Sequence, residues 1–322
     1  MAGFTFIEHG DHERGFAAVY DREIAPFLRE KEEVRAAAVR RSQLWTGAVF
    51  GISVVLALLA FRVHPMLPLF PLVFGGAAAL FLYLTRGEKI SAEVTHFIRP
   101  VICSFFDDMT FSETEAEGGF PKRRLEALGI VPRADESTIG PSIRGVWRGI
   151  GYTVTKASFR DAYRDSASDN RTRRTHLFGG IVLKIDCLED MPTIVFCPDL
   201  GGAMNAVMKW ATPDLPPFRF EFPDARVEEV FEVYTDDPDL ARKRLHQGFG
   251  ERLLGFARDY QASKTFIAAA FQGRAFYLAI DLPHDFMNFD VASRPLDACN
   301  AKIHKALDDL MIPRRIIDIL LG

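Results

Sequence analysis

Few side chains in this sequence are of types and spacings that do chemistry, and each has an ordinary structural role to set beside it. Asp107 and Asp108 form a carboxylate pair of the kind that divides acid and base work. They stand where an apolar helical stripe gives way to a loop, a place where solvated acids are routine. His176 follows Arg171-Thr172-Arg173-Arg174. A histidine base needs a Ser or Cys within hydrogen-bond reach, and no spacing here assembles one, so His176 reads as a surface residue. Gly145, Gly149 and Gly151 imitate a phosphate loop, yet no strand, loop and helix order surrounds them and no Gly-Lys-Ser/Thr follows. Bends in strands account for them better. Asp199-Leu200-Gly201-Gly202 is likewise a turn first. Cys103, Cys187, Cys197 and Cys299 are scattered, without a C-x-x-C pair or a His at metal-ligand spacing, and are expected as reduced, semi-buried side chains. No catalytic residue, metal site or cofactor is therefore expected.

Arg171, Arg173 and Arg174 form an exposed basic cluster with a physical use beside a membrane. Each basic side chain close to an anionic leaflet gains up to about 1 kcal/mol, falling off within a Debye length. Asp161, Asp165 and Asp169 flank the cluster and favour a plain solvated loop.

The elements that would place these residues are organised by two apolar runs, Leu44 to Phe61 and Leu67 to Leu84, each free of Asp, Glu, Lys, Arg and His. At ~1.5 Å per residue each nearly spans a ~30 Å hydrocarbon core, and neither has the polar stripe of a buried soluble helix. The pair reads as a transmembrane helical hairpin. Arg35, Arg40 and Arg41 precede the first run, and Arg86 and Lys89 follow the second. Basic residues close to the membrane are retained in the cytoplasm, so both termini are expected there. Trp45 and Tyr83 fall at the same level, where amphipathic rings favour headgroups. Gly47 with Gly51, and Gly75 with Ala79, are small-x-x-x-small pairs that let helix backbones approach in lipid, within the hairpin or in a homo-oligomer.

Two amphipathic helices are expected to flank the hairpin. In the first, which Asp11 would cap, Phe16, Tyr20, Ile24, Phe27, Val34 and Ala38 recur at helical spacing; in the second the stripe is Ile90, Val94, Phe97, Ile98, Val101, Ile102 and Phe105. The stripes should pack together as an antiparallel stalk, with Val34 near Val94 and Phe27 near Val101 when counted outward from the membrane. Pro26 and Pro100 would either kink the two arms or end them.

Beyond Asp108 the texture becomes that of strands. Thr138 to Tyr163 reads as paired strands, Leu177 to Cys187 and Thr193 to Cys197 as a hairpin about residues 188–192, and Thr265 to Phe271 and Ala275 to Ile280 as a second about Gln272-Gly273-Arg274. A helix from Asp237 to about Tyr260 and another from Pro295 to Met311 complete the set. The expected fold is an α+β membrane protein: residues 1–43 an amphipathic cytoplasmic helix, 44–84 the hairpin, 85–108 a second stalk helix, and 109–322 a cytoplasmic domain of mainly antiparallel strands with packed helices.

Ile98-Arg99-Pro100 after the hairpin, the segment Phe-Glu-Val-Tyr-Thr-Asp-Asp-Pro at 231–238, and the run Ala270 to Ile280 carry a likeness to a known family. In these the chain resembles the bacterial membrane proteins catalogued as domain of unknown function 3137. The resemblance implies an architecture and a membrane location, and no active residue. With a net charge of -4 and acids and bases interspersed, nucleic acid is not an expected partner. The expected function is a non-enzymatic, membrane-anchored binding or scaffold module whose partners are membrane lipid and another membrane or cytoplasmic protein. The competing readings are a membrane-bound hydrolase acting on lipid or envelope material and an accessory subunit of a transporter or pore.

Overall fold

The computed structural model describes residues 4–61, 73–74, 76–77, 88–113, 120, 122–164, 172–198, 215–222, 224–246, 248–261, 267–290 and 295–322. The chain divides into two compact units, Met1–Phe105 with Met287–Leu307, and Phe106–Phe286 with Asp308–Gly322.

In the first unit a helical rod opens with α1 (Phe16–Val19), widens into a π turn over Tyr20–Ile24 and continues as α2 (Ala25–Phe61). Its first amides are capped by Glu8, whose Oε1 accepts from Gly15 and Ala17 at 2.9 and 3.0 Å. Asp11, the expected cap, instead begins a 3-10 turn and pairs with Arg14. Pro26 does not end the rod. It follows the π turn, whose wider spacing eases the clash of a proline ring with the carbonyl four residues back. Pro100 also lies inside a continuous helix, α3 (Glu88–Phe105).

The two stripes do meet, with α3 antiparallel to the rod. Phe27 stacks on Phe97 at 4.0 Å between centroids, Lys31 pairs with Glu93 at 2.5 Å, and Phe16 meets Phe105 edge-on. This register differs from the expected one by a helical turn: the partner of Phe27 is Phe97 rather than Val101, and Val34 is 53% exposed. Counting from the membrane assumes that both helices leave it at one level, whereas ring stacking and the ion pair choose the register. Val94, Ile98 and Ile102 are nevertheless fully buried. Along α3 an extended stretch is held at successive turns, where Ser91 donates to Asp290 Oδ1, Thr95 Oγ1 accepts from Phe289 N–H, and Arg99 Nε donates to the Met287 carbonyl. Helix α8 (Cys299–Leu310) follows it. Glu32 accepts from the Leu296 amide at 2.9 Å, and the Tyr20 hydroxyl donates to Asn300 Oδ1 at 2.7 Å.

A cysteine pair at 31 and 93, in a background lacking the native four cysteines, is expected to cross-link under mild oxidation, and a pair at 34 and 94 to stay reduced. The opposite outcome, read on a non-reducing gel, would restore the membrane-counted register.

Among the described residues the second unit is built on a seven-stranded antiparallel sheet in the order β1 (Met109–Ser112), β2 (Glu136–Trp147), β3 (Ile150–Arg164), β4 (Thr172–Pro198), β6 (Phe231–Thr235), β5 (Phe218–Arg219), with β7 (Ile267–Asp281) also paired to β4. Two expected hairpins are absent. Residues 177–197 lie in the single strand β4 and residues 267–280 in β7, and these two run antiparallel, with Met191 opposite Gly273 where the register shifts. Asp, Pro and Gly spell a reversal in isolation; here they serve a bulge that bends a ribbon. Arg274 fastens the bend by donating to the Leu188 carbonyl at 3.1 Å. The true tight turn is Arg148-Gly149, both with positive φ (49° and 78°), between paired Trp147 and Ile150.

Strand alternation sorts the core onto two faces. Val195 packs with Phe159, Phe178, Val182 and Tyr277 beneath α4 (Lys122–Ala127), while its neighbour Phe196 joins Phe231, Phe249 and Phe271. Beyond β6 the expected single helix is two, α6 (Pro238–Arg244), capped by Asp237, and α7 (Phe249–Gln261), because Leu245 turns extended; α5 (Ala225–Glu228) precedes β6. The chain beyond Met311 is a further helix, α9 (Ile312–Leu321), with Ile312, Ile316 and Ile317 buried.

Candidate functional site

The residues singled out from the sequence are placed as follows. Asp108 is committed to structure: its Oδ1 pairs with Arg314 at 2.5 Å, and that guanidinium lies over the rings of Trp147 and Phe106 at 4.4 and 5.0 Å. Asp107 is exposed. Arg40, Arg41, Trp45 and Lys89 are exposed, and a Cβ added to Gly47 or Gly51 would meet nothing within 4 Å. Gly75, Ala79, Tyr83, Arg86, Arg171 and Asp199 to Gly202 lie outside the described residues, as does most of the second expected span. For Arg173 and Arg174 only the strand position is described, opposite Tyr163 and Ala162.

Among the described residues one helix is long and apolar enough to cross a membrane, the rod that reaches Leu59. Its apolar end is not packed away: Leu44 is 76% and Leu58 67% exposed.

The polar cavity of the second unit, about 440 Å³, lies where β3 and β4 run side by side. Period-2 alternation puts Lys156, Ser158 and Arg160 on one face of β3, and the bulge after Phe159 sets Arg160 opposite His176 of β4. Gly179 carries no side chain where the His176 ring lies, since a Cβ there would come within 2.5 Å of Nε2. Its amide donates to Asp281 Oδ1 at 3.0 Å, tying the floor to β7. The far wall is His284, whose Nε2 meets Asp309 Oδ2 at 2.6 Å, and Asp285, which pairs with Lys156. Arg160 and His176 are both exposed at the mouth. A cavity lined by Lys156, Arg160 and two imidazoles, with a hydroxyl at Ser158 and one carboxylate, Asp285, paired to Lys156, suits an anionic oxygen group, which would take charge-assisted hydrogen bonds from Arg160 and its neighbours. The histidine that sequence reading set aside, His176, thus belongs to a constellation whose other members are up to about a hundred residues away.

Burial disfavours nucleophilic chemistry at Cys103, Cys187 and Cys299. Burial pushes the thiols of Cys103 and Cys299 up to about 12 and that of Cys187 up to about 11, so they stay protonated.

In the first unit a second cluster forms from His9, Glu13 and His304, whose donor atoms all lie within 4.8 Å of one another. Glu13 is 1% exposed; its Oε2 accepts from the His9 amide and its Oε1 meets His304 Nδ1, both at 2.6 Å. Burial pushes the carboxyl up, but the hydrogen bonds from His304 and His9 and the fields of His304 and His12 outweigh it and hold it below the ordinary range. The signal for this site was in the sequence as His9-Gly10-Asp11-His12-Glu13, which sets a histidine and an acid four apart; only its third member, His304, is remote.

Rod and sheet define an α+β protein, with one long apolar helix among the described residues. Residues 176–321 match the model of a family described as "Protein of unknown function (DUF3137)", which supports over that stretch the resemblance carried by residues 231–238 and 270–280. No curated protein matches the chain. Among solved structures the chain is similar to the mycobacterial trehalose monomycolate transport factor A, TtfA, at 12% identity over 55% of this chain and 75% of that one, with a TM-score of 0.23.

Proposed function

We propose that the chain is a membrane-anchored binding module whose cationic cavity receives an anionic oxygen group from a lipid or protein partner. The observation that carries this is the convergence of Lys156, Arg160, His176 and His284 on one cavity. Anchoring is supported by the exposed apolar end of α2, which needs lipid around it. In this reading Leu67–Leu84 returns the chain through the bilayer and both termini are cytoplasmic. A cysteine placed at residue 63 is then expected to react with a membrane-impermeant thiol reagent added outside intact cells; labelling at residue 170 instead would invert the topology.

Binding is tested on full-length protein in nanodiscs of neutral lipid, titrated with inorganic phosphate. Saturable binding is expected, weakening with salt, and reduced at least about tenfold by Arg160→Ala, the equivalent of one charge-assisted hydrogen bond. Binding that does not saturate, or that Arg160→Ala leaves unchanged, overturns the cavity as the site.

A further inference from the structure

We infer that His9, Glu13 and His304 form a binding site for a divalent transition ion of the zinc type, one that clips the segment before α1 onto α8. The donor set is two imidazoles and a carboxylate, which suits zinc at about 2.0–2.2 Å from each ligand, with a water left to complete the shell. Three donor atoms within 4.8 Å of one another can be drawn onto one ion with small movements.

The parts of the site are already held in place. Glu13 is fixed by the His9 amide on one oxygen, so the other is oriented toward His304. The His304 ring is stacked on Phe6 at 4.2 Å and on His9 at 4.2 Å, which fixes its plane. One turn earlier on α8, Asn300 donates to the Thr5 carbonyl at 2.8 Å while accepting from Tyr20, so the chain carrying His9 is anchored on the helix that carries His304. Such supporting contacts are what orient metal ligands.

Loading the ion requires two adjustments. The hydrogen between His304 Nδ1 and Glu13 Oε1 gives way to the metal: the imidazole keeps one proton, on Nε2, a second, if carried, goes to solvent, and Nδ1 turns its lone pair to the ion. The His9 ring, only 6° from parallel to His304, gives up that stacking and rotates so that a nitrogen lone pair lies toward the metal, a movement its exposed position allows.

The test uses full-length protein purified without a polyhistidine tag, stripped with a chelator and titrated with zinc chloride against a chromophoric competitor, and separately with cobalt chloride. One zinc per chain is expected, together with the visible ligand-field bands of low-coordinate cobalt and a raised melting temperature. His304→Ala and Glu13→Gln should each weaken zinc at least about tenfold. Because Glu13 and His304 are built into the packing, the deciding variant is His9→Ala, whose exposed side chain can be removed with the fold intact. It should lose affinity by a similar factor at unchanged apo melting temperature. Substoichiometric zinc, or full affinity in His9→Ala, overturns the site.

Discussion

Gly180→Ala is expected to break the pairing of β4 with β7 and to lower the stability of the β-rich unit by about 3 kcal/mol, the upper end for over-packing. A Cβ at this position would lie 1.9 Å from the Ile280 carbonyl oxygen and 2.7 Å from the Leu282 nitrogen. Both neighbours are backbone, of β7 and of the residue that follows it, so no side chain can swing aside. The strands must part where β4 is paired on both edges, to β3 and to β7. The measurement is the denaturation midpoint of the full chain in detergent, compared with Gly255→Ala. Gly255 is an exposed position inside α7 with nothing within 4 Å of an added Cβ, and alanine there should stabilise by about 0.5–1 kcal/mol. Equal midpoints for the two variants would show that the close approach of β4 and β7 carries no weight.

The second large effect is expected at Arg314. Its side chain is 18% exposed and that of Asp108 24%, so Arg314→Ala leaves a largely shielded carboxylate without its cation and removes the plane stacked over Trp147 and Phe106. A loss of about 2–3 kcal/mol follows, somewhat under the cost of breaking a fully buried pair. Lysine should recover less than half of it, because a point charge reproduces neither the stacking nor the planar fork. Combined with Asp108→Asn, the alanine variant should lose at least about 1 kcal/mol less than the sum of the single losses. Strict additivity would mean that the ion pair is incidental and that only ring packing counts.

Local physics was legible in the sequence where it acts alone, and much less so where partners decide. The stripe of Val94, Ile98 and Ile102 is a periodicity that packing merely fulfils, and the uncharged apolar run from Leu44 is helical as its composition predicts. The two vanished hairpins show the limit. Leu188 to Pro192 and Gln272 to Arg274 have turn chemistry, and only their meeting across a ribbon, Met191 opposite Gly273, makes each a bend. The stalk register failed for a related reason, since Phe97 and Glu93 choose partners that no count along one chain can rank. The return of residues 287–307 to the first unit left no trace in composition. The cationic cavity was illegible in the same way: Lys156, Arg160 and His176 become neighbours only through strand pairing, and His284 enters from a loop after β7.

The rod gives the first unit a mechanical property. The 37 residues of α2 extend about 55 Å at 1.5 Å per residue, and the helix is a single piece from its exposed apolar end to the level at which Glu32 holds the Leu296 amide. Tilting it about 10°, well within the range of membrane helices, displaces one end relative to the other by about 10 Å. Under the proposed anchoring, a tilt imposed on Leu44 to Leu59 would be carried along the helix to Tyr20, Glu32 and the Phe27 and Phe97 stack.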